Sequence, residues 1–321
     1  MPSPQAQKAA NLAIRRLTPA DLDRVIAIDR AITGTSRRGF FENRLAASLN
    51  EPRAFISLAF VEDGVVEGHV FAHMLDGEFG GRHPVAVLDA IGISKAVRGH
   101  GGAHALMQEL QVAARGRGAH ALRTQVLWSD EPMMHFLAAA GFKLGTRLVL
   151  ERRCSKKEDE PRRGDNAVED GQDLSKDRIA VRSLALADLP AVIRIDRTIT
   201  DLDRTVYYRR KVEEAQRKNG VRLSMLAEID DTPAGFIMAR VDYGEFGQTE
   251  TEAVLDTIGV DPEFFDQNVG TVLLMQLLSQ LENLRVERVR TVVEWNNASL
   301  IAFLDRLGFE PTQNLTFALA L

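Results

Sequence analysis

One property of this 321-residue chain narrows its folds more than any other: it repeats itself at a fixed spacing. LDAIGI at Leu88 to Ile93 returns as LDTIGV at Leu255 to Val260, an offset of 167 (255 minus 88). The same offset carries Asp29-Arg30 onto Asp196-Arg197, the GEFG of Gly77 to Gly80 onto that of Gly244 to Gly247, Trp128 onto Trp295, and Gly141-Phe142 onto Gly308-Phe309. Hydrophobic patterning alone does not hold one gap-free register through loops as well as core positions, so the chain is read as a duplicated unit. Between the copies lies RCSKKEDEPRRGDNAVEDGQDLSKD, Arg153 to Asp177, charge-rich and without apolar periodicity, which is linker composition. The expected organisation is one unit over residues 12–152, a charged linker over 153–177 and a second unit over 178–321.

Each unit can bury a core, since hydrophobic residues make up 45% of the chain and charged ones 26%. A formal net charge of -5 and a pI near 5.9 provide no basic field for a nucleic-acid backbone, so nucleic acid is not an expected partner. The lone cysteine, Cys154, rules out a disulfide framework within the chain and a cysteine-rich metal site; a reducing, cytoplasmic setting is expected, with no metal. Residues 1–11, MPSPQAQKAAN, lack the apolar region of a secretory signal, and no apolar run reaches 18 residues, so no membrane association is expected.

Within the first unit, Leu12 to Leu17 alternates as a strand, and Thr18, Pro19 and Asp21 then open a helix carrying Leu22, Val25 and Ile26 on one face. A second helix is predicted from about Arg37 to Leu49, then a hairpin of Ala54 to Val61 and Val65 to Leu75 around Glu62-Asp63-Gly64. Val85 to Ile93 reads as a third long strand, Gly102 to Arg115 as a helix, Ala121 to Leu127 as a strand, Glu131 to Ala140 as a short helix stopped by Gly141, and Lys143 to Glu151 as a last strand. That order defines an α/β (mixed α+β) fold: a mostly antiparallel mixed sheet flanked by helices, present twice.

A glycine run, RGHGGA at Arg98 to Ala103, joins the third strand to the following helix. Glycines there let backbone approach an anion closely, and the unpaired N–H groups and positive dipole end of the helix start favour a phosphate. Alone, the run fits equally a strand-to-helix turn with no such duty. In the order of elements around it, the run resembles the pyrophosphate loop of the GCN5-related N-acetyltransferase (GNAT) family, whose motif is Arg or Gln, two residues, Gly, one residue, Gly or Ala; Arg98, Gly101 and Ala103 match it. A short helix running into Gly-Phe before the final strand is a second family hallmark and occurs in both copies. The resemblance implies acetyl-CoA (CoA) as cosubstrate, with its pyrophosphate on the backbone amides of Arg98, Gly99, His100, Gly101, Gly102 and Ala103. It implies a pantetheine arm along Ile91, Gly92 and Ile93, in a gap between the strands around Ile91 and Val126. The second copy departs from the motif: Phe265 replaces Arg98, Asn268 replaces Gly101, and Asp266 adds a carboxylate where phosphate would lie, so weak or absent CoA binding is expected there.

Acetyl transfer to an amine needs a base for the amine's proton, a donor for the developing oxyanion and often an acid for the leaving thiolate. Asp89 and Glu78 are the candidate bases. Strand parity would put Asp89 on the face of Ile91 and Ile93, at the thioester end of the gap; its other reading is a structural strand carboxylate. Glu78, in the GEFG turn, equally suits a turn role. A backbone N–H near Ile93 is the family-like oxyanion donor. The family's leaving-group Tyr is replaced by Leu137 and Leu304, leaving water, His135 or Ser129 to protonate the thiolate. The stretch Ile28 to Phe41, repeated from Ile195, covers the acceptor pocket in this family, which makes Asp29, Arg30, Thr33, Arg37 and Arg38 acceptor-site candidates, against helix salt bridges and capping. The resemblance implies a small-molecule amine or a peptide as the acceptor. The two copies could pack as an internal pseudo-dimer. The rival reading is a catalytically silent CoA-binding or protein-interaction module.

Overall fold

The computed structural model describes residues 11–75, 83–154, 178–216, 222–243 and 251–321. The first copy runs β1 (Leu12–Arg16), α1 (Leu22–Thr33), α2 (Arg38–Asn50), β2 (Phe55–Glu62), β3 (Val65–Leu75), β4 (Val85–Ile93), α3 (Gly102–Arg115), β5 (Ala121–Leu127), α4 (Glu131–Ala139), β6 (Lys143–Leu144) and β7 (Arg147–Arg153). The second repeats it as β8 (Ile179–Ser183), α5 (Leu189–Thr200), α6 (Thr205–Gln216), β9 (Arg222–Ile229), β10 (Thr232–Tyr243), β11 (Thr251–Val260), α7 (Val269–Asn283), β12 (Arg288–Glu294), α8 (Ala298–Arg306), β13 (Glu310–Pro311) and β14 (Asn314–Ala320). Ahead of α1, the Asp21 carboxylate accepts the Thr18 N–H at 2.8 Å, so the chain enters the helix through a closed turn.

Two seven-stranded mixed sheets result, ordered β1-β2-β3-β4-β5-β14-β6 and β8-β9-β10-β11-β12-β7-β13. Their composition corrects one expectation, that each copy keeps its own last strand. That strand breaks after Leu144 in one copy and after Pro311 in the other, and the longer piece crosses to the other sheet. β14 lies antiparallel to β5, with Asn314 opposite Leu127, and β7 lies antiparallel to β12, with Arg147 opposite Glu294. Subtracting 167 from Asn314 gives 147, and adding 167 to Leu127 gives 294, so the two pairings are the same register exchanged. Each copy therefore completes the other. Leu150 and Cys154 sit in the second copy's core, while Phe317 sits in the first's, next to Leu122, Val126 and Phe142.

Each first-copy face of the sheet has its own core. α3 and α4 cover Val70, Ala72, Ala86, Leu88 and Ile93, and α1 and α2 cover Ala59, Val61, Phe71 and Ala90. The backbone repeats even where side chains do not. Left-handed residues at Gly34, Asp63, Gly64, Gly99, Gly101, Gly118 and Gly141 recur at Asp201, Asp230, Asp231, Asp266, Asn268, Arg285 and Gly308, and together these are every positive-φ position among the described residues.

Candidate active site

The gap expected between β4 and β5 is present. The two strands run parallel and pair only at Ala86 with Leu122 and Val87 with Arg123, after which they separate. At the apex the Leu88 carbonyl accepts the Thr124 hydroxyl at 3.0 Å, so a side chain satisfies a backbone group that the parting strand has left. β11 and β12 diverge in the same way after Val254 and Arg290, and Thr291 donates to Leu255 O at 3.1 Å.

At the open end, the Ser94 hydroxyl accepts the Ala96 N–H to shape a single 3-10 turn, and the chain then passes through Gly99 at φ 88° and Gly101 at φ 80° into α3. The first-turn amides of α3 have no carbonyl one turn back, so they face outward with the positive helix end. Gly102 is set by packing: a Cβ there would come 2.8 Å from the Phe60 ring. In the second copy Ala227 stands at the Phe60 position and Val269 at that of Gly102, both buried, so the volume has moved from strand to helix. Arg98, Gly99, His100 and Gly101 are exposed, and the His100 Nδ1 lies 3.1 Å from Glu62. These residues fit a diphosphate: amides at a helix start, a close backbone approach and an exposed arginine.

Asp89 is not where parity puts it. The β3–β4 register slips between Phe71 and Ala72, which face Ala90 and Leu88, so Asp89 is the extra residue of a β-bulge. Ile93 points into the core under α3 and Ile91 packs against it, whereas Asp89 faces α2 on the opposite side. There its side chain is fully buried; His73 Nδ1 lies 3.0 and 2.9 Å from its two oxygens, and Arg44 Nε lies 3.4 Å away. The second copy has the same bulge at Asp256, held by Lys211 at 2.9 Å and by Arg240. Glu78 lies outside the described residues.

The acceptor-side candidates separate into two groups. Asp29 is buried and takes a two-pronged ion pair from Arg37, whose Nε donates at 2.9 Å, while the Thr33 hydroxyl donates to Asp29 O at 3.0 Å. Asp196 and Arg204 repeat that clamp, with Tyr208 added at 2.8 Å. The Asp29 side chain thus ties α1 to Arg37, the residue immediately before α2. Arg30 and Arg38 are exposed and line a surface recess of about 820 Å³ with Asp23 and Ser36, where Arg38 reaches Asp23 at 2.8 Å. Leu137 and Leu304 are fully buried and His135 is exposed.

Two histidines escaped the sequence reading. His73 is the partner of Asp89, and His69 on β3 lies over Gly92, where a Cβ would come 2.8 Å from its ring. His69 is fully buried, its two ring nitrogens have no hydrogen-bond partner among the described residues, and burial, with Arg37 adding to it, pushes its pKa down to about 3. Phe236 fills that slot over Gly259 in the second copy, at 2.8 Å by the same measure. The signal available in the sequence was the repeat itself: His69 and His73 align with Phe236 and Arg240, so they mark places where the copies differ in chemistry.

A mixed sheet that opens beside a glycine loop at a helix start defines a class of acyltransferase-like folds, and comparison with known proteins agrees. The family model described as "Acetyltransferase (GNAT) family" matches residues 25–142 and again 189–309. The chain belongs to that family. Among curated proteins it is 33% identical over 87 residues to the [Ribosomal protein bS18]-alanine N-acetyltransferase of Salmonella typhimurium, a stretch covering 27% of this chain and 54% of that protein. The chain thus spans about half the length of the curated relative it matches. Among solved structures, a tandem GNAT protein from the clavulanic acid biosynthesis pathway superposes with a TM-score of 0.64 at 20% identity, covering 97% of this chain and 98% of that one. A GCN5-related N-acetyltransferase from Sphaerobacter thermophilus gives a TM-score of 0.59 at 14% identity, covering 96% and 95%. At these identities the structural likeness speaks for the fold.

Proposed function

We propose that the chain is an acetyl-CoA-dependent N-acetyltransferase whose first copy, residues 12–152, is active and whose second, residues 178–321, is degenerate and acts as a scaffold. The observation that carries this reading is the first copy's combination of a phosphate-shaped loop at Arg98 to Ala103 with strands that separate after Val87 and Arg123. Backbone amides of Arg98, Gly99, His100, Gly101, Gly102 and Ala103 would hold the diphosphate, and the unpaired edge of β4 at Ile91, Gly92 and Ile93 the pantetheine arm. Acetyl-CoA supplies the activated acyl group. Asp89 or Glu78 serves the acceptor's proton, and the backbone N–H near Ile93 faces the developing oxyanion. Arg30, Arg38 and Thr33, with Asp29 and Arg37 stiffening the wall, border the acceptor side, where an amine of a small molecule or peptide enters. The reading places the protein in the reducing cytoplasm, in keeping with one buried cysteine, Cys154, whose thiol burial pushes up to about 12.

In the second copy, Asp266 and Asn268 keep the left-handed turns, at φ 65° and 62°, but Asp266 brings negative charge to the place of the diphosphate. Calorimetry of the full chain with acetyl-CoA is therefore expected to give a stoichiometry near one. Gly99→Asp, which imports the second copy's residue, is expected to weaken binding by about 100-fold, or about 2.7 kcal/mol. A stoichiometry of two, or affinity untouched by that change, would refute the assignment. The buried leucines at the place of the family's acid, Leu137 and Leu304, favour the silent-module reading. Release of CoA thiol in the presence of amines decides between the two.

A further inference from the structure

We infer that the first copy binds its diphosphate together with a proton, carried by the His100 ring and anchored by Glu62. The inference rests on the acyl-transfer reading above and moves the part of His100 in it from backbone to side chain. The His100 N–H already donates to Val97 O at 3.2 Å, so what this residue has left to offer an anion is its imidazole. That ring is open to a ligand. Its side chain is 52% exposed, and it stands between Gly99 and Gly101, both left-handed, on the loop that leads into α3.

The ring is fixed at one end. Its Nδ1 lies 3.1 and 3.4 Å from the two oxygens of Glu62, the last residue of β2, whose side chain is only 12% exposed. The other ionisable groups nearby on the turn, the loop and α3 are engaged elsewhere or open to water. Asp63 accepts the Asn11 N–H at 3.0 Å, His104 in the first turn of α3 meets Gln108 at 3.0 Å, and Lys95 and Arg98 are exposed. Among the described residues, Glu62 is the charged group that pairs with His100.

The chemistry of the ring decides which form an anion selects. A neutral ring that gives its Nδ1 proton to Glu62 turns a lone pair outward at Nε2, and one with the proton on Nε2 sets a bare Nδ1 against the carboxylate. Only the imidazolium has an N–H at both ends, one for Glu62 and one for a phosphate oxygen. The same proton separates two anions, since across a neutral ring the Glu62 carboxylate and the diphosphate would repel each other. Proton and ligand therefore favour one another, and affinity for CoA falls as the pH rises and the ring loses its charge. The second copy has neither member of the pair. Gln267 stands for His100 and Ile229 for Glu62, while the Gln267 N–H still reaches Phe264 O at 3.4 Å, so the backbone turn persists without the charges.

The test is calorimetric titration of the full chain with CoA at pH 6 and pH 8, beside His100→Gln, which imports the second copy's residue. Protonation of the phosphates of CoA affects both proteins alike, so the difference between their pH slopes isolates the ring. The unaltered chain is expected to lose about tenfold more affinity than His100→Gln over that range. At pH 7 its binding should take up a fraction of a proton, read from the heats in two buffers of different ionisation enthalpy, and the variant should take up less. His100→Gln is expected to keep the melting temperature and to bind about tenfold more weakly at pH 6, because it leaves Glu62 facing the diphosphate. Adding Glu62→Gln to it should bring the affinity back to within about threefold of the unaltered chain. Equal pH slopes in the two proteins, or a double variant no tighter than His100→Gln, would overturn the proposal. Absence of CoA binding to the unaltered chain at either pH would instead overturn the acyl-transfer reading beneath it.

Discussion

Where the first copy holds Phe60, His69, His73, Gly99 and Gly101, the second holds Ala227, Phe236, Arg240, Asp266 and Asn268, yet the sheets, bulges and left-handed turns coincide. Compensation is visible pair by pair. Val269 fills what Phe60 occupies in its sibling, and Phe236 lies over Gly259 as His69 lies over Gly92. The comparison teaches that sheet pairing and turn geometry tolerate these exchanges, because they depend on backbone hydrogen bonds and filled volume, whereas lone pairs and net charge at a site do not survive them.

Four substitutions would break or sharpen that comparison. The largest effect is expected from disturbing the exchanged strands. Phe317→Ala, a change near the end of the second copy, removes a side chain from the first copy's core and should cost about 3–5 kcal/mol. Its mark is faster amide exchange in β5 than in β12; the reverse order would mean that the strands are not exchanged in solution. Next comes the acid between the paired helices. Asp196→Asn leaves Arg204, whose side chain is 6% exposed, without its counter-charge and should cost about 3–5 kcal/mol in denaturant unfolding. Asp29→Asn should cost less, because Arg37 is 17% exposed and can reach water.

The smallest effect concerns His69. Its folded-state pKa of about 3 lies below the ordinary value of 6.5, so the unfolded chain binds the extra proton first, and stability falls as pH drops from 6.5 toward 3. The loss approaches about 1.4 kcal/mol per pH unit in that window. His69→Phe, the sibling's residue, should remove that contribution and stabilise the protein by about 1–3 kcal/mol even at neutral pH. Unfolding midpoints compared at pH 7 and pH 5 check it; equal pH slopes for both proteins would show that burial does not hold the His69 pKa down in solution.

Much of the site was legible because its signals are local. The glycine run at Arg98 to Ala103 as a strand-to-helix turn and the turn at Glu62-Asp63-Gly64 each rest on neighbours in the chain and fold as read, whereas Thr18, Pro19 and Asp21 close a 3-10 turn ahead of α1 rather than its first turn. The face of Asp89 was misread because parity assumes one residue per step, and a bulge adds one. Arg37 as the partner of Asp29, and His73 as that of Asp89, lie 8 and 16 residues away, at separations that periodicity does not mark.

By itself, then, the amino-acid order determined the duplication, the succession of strands and helices and the loop, since each follows from short-range propensity repeated at one offset. Only the tertiary structure decided which sheet receives each final strand and which groups surround the buried acids. β7 and β14 carry equivalent patterns and fit either sheet in the same register, so the choice falls to the crossing of the chain after Leu144 and Pro311 and to the cores that each strand then closes.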